Sequence, residues 1–247
     1  NAYAAVEIVN VRCEDNQALA SGGALRCDFG TITVEDSRFT GNQAADGGAI
    51  SDGASGFNVR RCTFTGNVAS PGGGGAFHFR GELLAELDDC LVVDCASRWG
   101  AWVKLEDHAS LIAVGCSFIG HGDSYLNTGI HVYDYCSLTL NNSLLTGASG
   151  RAITFHQNVS TNFDECNDIW GNGLDYPAEI AHWLGTNGNF SANPLFCSPS
   201  GGDYHLSSLS PCAPANNECG LQVGALPVAC ETTATTATSW SAVRSLY

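Results

Sequence analysis

Methionine does not occur in the 247 residues, and lysine occurs once, as Lys104. Charged residues make up only 14% of the chain, against roughly 25% in an average soluble domain. The net charge is −15, so no basic stripe is available to follow a nucleic-acid backbone, and no nucleic-acid partner is expected. No apolar run approaches the ~20 residues that cross a bilayer as a helix, which predicts a chain that is not transmembrane. The twelve cysteines include no Cys-x-x-Cys pair, which removes the usual zinc and dithiol spacings. No signal peptide is visible and the chain starts without an initiator Met; the expectation is a processed or truncated form.

What the chain does have is glycine, at 29 residues, and 44% hydrophobic content, ample for a core. An even number of cysteines spread along the whole length points to disulfides and therefore to a secreted, extracellular or cell-surface protein. The strongest signal is internal repetition. "FTGNQAADGGAI", Phe39 to Ile50, returns as "FTGNVASPGGGGAF", Phe64 to Phe77, and a degenerate copy, "CEDNQALASGGAL", Cys13 to Leu25, precedes both. Anchored on Cys13, Phe39, Phe64, Leu91, Phe118, Leu144 and Ile169, the unit recurs every 25 to 27 residues. Three positions after the anchors stand Asn16, Asn42, Asn67, Asp94, His121, Gly147 and Asn172. Each unit holds short alternating stretches, such as "TITVED" and "SLTLNN", separated by Gly/Asn/Asp-rich turns. One such unit cannot bury its apolar face, whereas stacked units can, so the period predicts an all-β solenoid of about seven coils over residues 1–176. Phe39 and Phe64 stack inside it. Asn16, Asn42, Asn67 and Asn172 are the expected structural ladder, sitting at a bend where Asn tolerates the left-handed conformation.

"FTGN" paired with "GGAI" resembles the repeat of the chlamydial polymorphic outer-membrane proteins and of related secreted bacterial proteins of the pectate-lyase-like type. The resemblance covers about residues 6 to 172 and implies a right-handed parallel β-helix. Proteins of this kind include adhesins and passenger domains as well as polysaccharide lyases and hydrolases, so the fold does not choose a function. Residues 177–230 are read as an irregular closing segment and cap. The stretch around Ala178 to Leu184 suits a loop or short capping helix. "NPLFCSPSGGDYHLSSLSPCAPANNECGLQVGALPVAC", residues 193–230, is similar to the closing segment of secreted β-helix proteins, which covers the open end of the solenoid. Residues 231–247 combine a Thr-rich linker with an apolar tail, in which Trp240, Val243, Leu246 and Tyr247 are candidates for strand addition to a neighbouring chain. Repeated head to tail, that contact would build a filament.

The disulfide candidates are Cys197, Cys212, Cys219 and Cys230, and at least three disulfides are expected, with bonds among these four. Cys62 and Cys116 occupy one slot two coils apart, about 10 Å by the sheet spacing, too far for a direct bond. Cys90 lies between them and could bond either, Cys95 needs a partner elsewhere, and Cys13 suits a buried small hydrophobe.

Catalytic chemistry has one weak constellation: Asp88, Asp89 and the "GHGD" around His121 resemble the carboxylates and Gly-His-Gly of polygalacturonase-type hydrolases. The accompanying Asn-Thr-Asp and Arg-Ile-Lys motifs are missing, and the ladder slot accounts for His121 without catalysis. Arg80, Arg98 and Lys104, near Glu82, Glu86, Glu106 and Asp107, read as a solvated, charge-paired face. Trp99, Trp102, Tyr125, Tyr133 and Tyr135 offer either a sugar-stacking platform or ordinary packing, with Trp102 pointing inward. So acidic a chain is compatible with Ca2+, but no EF-hand loop or Gly-Gly-x-Gly-x-Asp repeat occurs, so neither a metal nor a cofactor is assigned. The expectation is a non-catalytic β-helix with a structural or adhesive role and a glycan or cell-surface partner; the rival is a polysaccharide lyase or glycoside hydrolase.

Overall fold

The computed structural model describes residues 5–53, 56–120 and 128–231. Three long parallel sheets run along a common axis. The first joins Ala5–Val9, Thr31–Glu35, Gly56–Arg60, Leu84–Asp88, Ser110–Val114, Ser137–Asn141 and Ser160–Glu165. The second joins Arg12–Glu14, Arg38–Thr40, Thr63–Thr65, Leu91–Val93, Ser117–Ile119, Leu144–Thr146 and Asp168–Trp170. The third joins Leu25–Cys27, Ile50–Gly53, Phe77–Arg80, Val103–Glu106, Ile130–Val132 and Ile153–Phe155. A short fourth sheet pairs Gln43–Ala44, Val68–Gly73 and Ala96–Trp99. Six coils carry all three strands, a seventh carries the first two, and an eighth begins where Phe190 pairs with Asp168.

Alternation along each strand sends every second side chain inward, and in-register pairing puts like on like from coil to coil. The second sheet contributes Cys13, Phe39, Phe64, Val92, Phe118, Leu145 and Ile169 to one interior column. Within it the Phe39 and Phe64 rings lie parallel, 4.8 Å apart. This register corrects two of the seven anchors: Val92 and Leu145, not Leu91 and Leu144, continue the column. The reason is a change in coil length, because the step from Phe64 to Val92 takes two or three residues more than its neighbours. Trp102 is buried and lies across the next coil, where a Cβ at Gly129 would run into its indole.

Two corners carry hydrogen-bonded ladders. At the first, Asn16 Nδ2 donates to Asn42 Oδ1 and Asn42 Nδ2 to Asn67 Oδ1, each at 2.9 Å. The spare amide protons reach the Cys13 and Phe39 carbonyls. Asn67 then meets Cys95, which fills the slot in place of Asp94. Asn172 does the same work in the seventh coil, bonding the Leu145 carbonyl and the Ala148 N–H. The left-handed residue is not the Asn, as expected, but the one before it: Asp15, Gly41, Gly66, Asp94 and Gly171 have φ between 52° and 70°. The turn is made there, which frees the Asn to point inward and satisfy the coils above and below. The second ladder runs through Ser37, Cys62, Cys90, Cys116, Ser143, Asn167 and Asn189. Val11 N–H donates to Ser37 Oγ, Ser37 N–H to Cys62 Sγ, Cys116 N–H to Ser143 Oγ and Ser143 N–H to Asn167 Oδ1.

The cysteines meet expectation in one bond, Cys197–Cys230, and otherwise depart from it. Two disulfides are present, Cys166–Cys219 and Cys197–Cys230, with Cα atoms 6.3 and 5.9 Å apart. Cys212 is free, and Cys219 bonds Cys166 of the last coil rather than a cysteine of its own segment. Cys62, Cys90, Cys95 and Cys116 are free and buried. Each thiol in the second ladder instead donates to a carbonyl two residues earlier, as Cys62 does to Arg60 at 3.2 Å.

The open end and the C-terminal segment also part company. The solenoid end is covered by residues 176–190, whose 3-10 turn Ala181–Trp183 follows a buried Ile180. Tyr176, Ile180 and Trp183 pack against the interior there, with the Trp183 and Phe163 rings 5.8 Å apart. Residues 193–230 instead form a strap along the outside of the second sheet. Tyr204, Phe196 and Leu226 pack on Leu91, Val93 and Ile119, while Leu206, Cys212 and Val223 pack on Leu144. The physical reason lies in the strands beneath, which carry Leu, Val and Ile at outward positions from the fourth coil on and need a cover.

Candidate functional site

The outward positions of the third sheet bring together side chains from four consecutive coils. In register across the sheet, Ser51, His78, Lys104 and His131 form one outward column. Arg80 and Glu106 pair in a second, which Tyr133 and His156 extend just beyond their strands. Trp99 and Asp46 reach in from the adjoining corner. Lys104 is the centre: its Nζ lies 2.9 Å from Glu106 Oε2 and 3.5 Å from Asp46 Oδ1, and 5.6 Å from the centre of the Tyr133 ring. His78 Nε2 lies 2.9 Å from Glu106 Oε1.

The aromatic half is one connected cluster of rings, in which His131 is buried and Trp99, Tyr133 and His156 reach solvent. His131 stacks on Tyr133 at 4.6 Å and Tyr133 on His156 at 4.3 Å. Trp99 meets His131 edge-on at 5.6 Å, and the Arg98 guanidinium lies 5.0 Å over the Trp99 ring. His131 and His156 approach through their Nε2 atoms at 2.9 Å. Beside the polar half is a cavity of ≈ 100 Å³, lined by Arg26, Asp46, Ser51, His78, Arg80 and Glu106 among others.

The electrostatics follow from this packing. Burial works to raise the Glu106 carboxyl, but hydrogen bonds from His78 and Lys104 outweigh it and hold the pKa at about 2. Burial likewise opposes the Lys104 cation, yet Glu106 and Asp46 raise its pKa above the usual lysine value. Burial, with His156 and Lys104 adding to it, lowers the His131 imidazole to about 4, so it is neutral at neutral pH. Burial raises the Tyr133 phenol.

Lys104, Glu106, Arg80 and Arg98 were legible as a charged group, but the expected solvated face is half wrong. Lys104 is 9% exposed and enclosed by its partners, whereas Arg80 and Asp107 do form a surface pair at 3.9 Å. Glu86 belongs to the first sheet, between Asn58 and Ile112. Trp99 and Tyr133 join the surface; Trp102 is core, Tyr135 stacks on His108 away from it, and Tyr125 lies outside the described residues. His78, His131, His156 and Asp46 were missed. Their signal was present in "FHF" and "IHV", a histidine at the same outward position of two strands, and becomes visible once the coils are aligned.

Asp88 and Asp89 do not converge with this group. Asp88 ends a strand of the first sheet, and Asp89 makes the left-handed turn toward the second, with φ 50°. His121 lies outside the described residues, so the constellation of Asp88, Asp89 and His121 has no geometry to support it. Trp240, Val243, Leu246 and Tyr247 also lie outside them. Among the described residues, no group of three or more His, Cys, Asp or Glu is placed to hold a metal ion, and no helix is long and apolar enough to cross a membrane.

Compared with known proteins, residues 1–168 match a family described as the right handed beta helix region. Neither the curated proteins nor the solved structures give a match.

Proposed function

This chain belongs to the right-handed β-helix family, and within that fold we propose that it is a non-catalytic, secreted or cell-surface protein that binds a glycan on the outer face of its third sheet. The observation that carries this reading is the group of accessible rings Trp99, Tyr133 and His156, joined underneath by the buried His131, beside Lys104. Aromatic faces offer a pyranose ring its apolar side, while adjacent charged groups serve its hydroxyls or carboxylate. A general acid or base works best with a pKa near the operating pH. Here Glu106 and His131 are held far below neutrality, and Lys104 is kept cationic by its two carboxylates. That favours binding over turnover.

A glycan panel screened for both binding and cleavage tests the reading. Tyr133→Ala and Trp99→Ala are each expected to weaken binding about tenfold, the loss of roughly 1.4 kcal/mol. New reducing ends or unsaturated products would replace this reading with that of a polysaccharide hydrolase or lyase.

A further inference from the structure

Asp168 is the first residue of the last strand in the second sheet and faces outward, yet it is fully buried. The strap covers it. Cys212 Sγ lies 3.2 Å from Asp168 Oδ2, and the Ala192 N–H donates to Oδ1 at 3.0 Å. From the end cap, the Asp175 charge acts on the same carboxylate from a distance, while the Tyr176 phenol donates to the Phe190 carbonyl. On the coil above, the matching outward residue is Leu144, which brings no charge. The charged neighbour is thus another acid, and the strap offers a thiol where a cation would be needed to hold a carboxylate anion. Two residues away, the Cys166–Cys219 disulfide ties the strap to the same coil, so a strap that lifts here stays tethered.

We propose that Asp168 and Cys212 form a pH-operated latch, closed when Asp168 is protonated and loosened when it ionises, between the last coil and the part of the strap from Cys212 to Leu226. This inference is independent of the glycan reading. Burial pushes the Asp168 carboxyl up to about 7; the Ala192 N–H and the Cys212 thiol pull it down only in part, and Asp175 adds to the rise. The direction follows. With the strap closed, the group keeps its proton to a higher pH than with the strap open, so closure is strongest below the ordinary carboxyl value of 3.8. It weakens as pH rises from there and levels off above about 7. Loosening withdraws Cys212 and Val223 from Leu144 and Leu226 from Val93 and Ile119, which Tyr204 and Phe196 continue to cover.

Amide hydrogen exchange on the full chain tests this. Val223 N–H donates to the Cys212 carbonyl, Gly224 N–H to the Asn142 carbonyl and Ala225 N–H to Ser117 Oγ. After correction for intrinsic rates, protection at these three amides is expected to fall about tenfold per pH unit between about pH 5 and 7, one proton being linked to opening. The Asn42 amide in the coils is the internal reference and should not follow. In Asp168→Asn, which cannot ionise, the slope should vanish, whereas Cys212→Ser should keep it. Absence of the slope in the wild-type chain, or its persistence in Asp168→Asn, overturns the latch. If Asp168→Asn does not fold, the carbonyl-carbon NMR titration of Asp168 in the wild-type chain decides. A midpoint near 7 supports the latch, and one below about 5 overturns it.

Discussion

The outer face of the second sheet changes character halfway along the molecule. In the first three coils its outward residues are Arg12, Glu14, Arg38, Thr40, Thr63 and Thr65, and these remain largely in contact with water. From the fourth coil they become Leu91, Val93, Ile119 and Leu144, and the strap lies over them. One sheet with one backbone geometry therefore ends in two different surfaces. Repetition builds the solenoid, but outward side chains, which the repeat leaves unconstrained, decide where a non-repeating segment must lie. The solenoid is held by contacts between successive coils, whereas the strap is held by a few long-range contacts and a disulfide.

That contrast can be broken from either side. The largest effect is expected in the interior. Phe64→Ala removes a fully buried ring that stacks on Phe39 and meets Phe77 at a tilt, and should cost about 3–5 kcal/mol, read as a lower midpoint in denaturant unfolding. Removing the Cys166–Cys219 disulfide by a double Ala substitution frees a link spanning 53 residues, and a loss of about 2–5 kcal/mol is expected. Here the coils should keep their β-sheet circular dichroism while a dye sensitive to apolar surface gains fluorescence on the uncovered second sheet. Equal loss of coil and strap signals would show that the two regions are one cooperative unit.

A smaller effect is expected at the ladders. Asn42→Ala takes the acceptor from Asn16 and the donor from the Cys13 carbonyl, while Asn67 Oδ1 keeps the backbone N–H of residue 42, at a cost of about 1–3 kcal/mol. Cys90→Ser should be nearly neutral, within about 1 kcal/mol, because Ser37 and Ser143 already serve in the same column. Burial raises the Cys90 thiol well above its ordinary value, so alkylating reagents should leave Cys90 unmodified until the chain unfolds.

Much of the fold was legible because the repeat is a short-range code. Phe39, Phe64 and Phe118, and Asn16, Asn42 and Asn67, recur at nearly the coil length, and one aligned copy predicts where its neighbour points. Where coil length changes, as between Phe64 and Val92, the alignment slipped by one and put Asp94 in the slot held by Cys95. The thiols misled for a related reason. Cysteine in a buried column serves equally as a ladder member or as half of a disulfide, and composition does not separate the two roles.

The sequence by itself determined a stacked all-β solenoid, most of one interior column and its first Asn ladder, since these depend on residue type at a regular interval. Only the tertiary structure decided that Asp46, His78, Lys104, Glu106, His131, Tyr133 and His156 share one outer face. It alone placed the closing segment on the side of the solenoid and joined Cys219 to Cys166. Those contacts have no period: Ala225 meets Ser117 across 108 residues. Such a pairing is set by shape and by the need to cover apolar surface, and no local pattern encodes it.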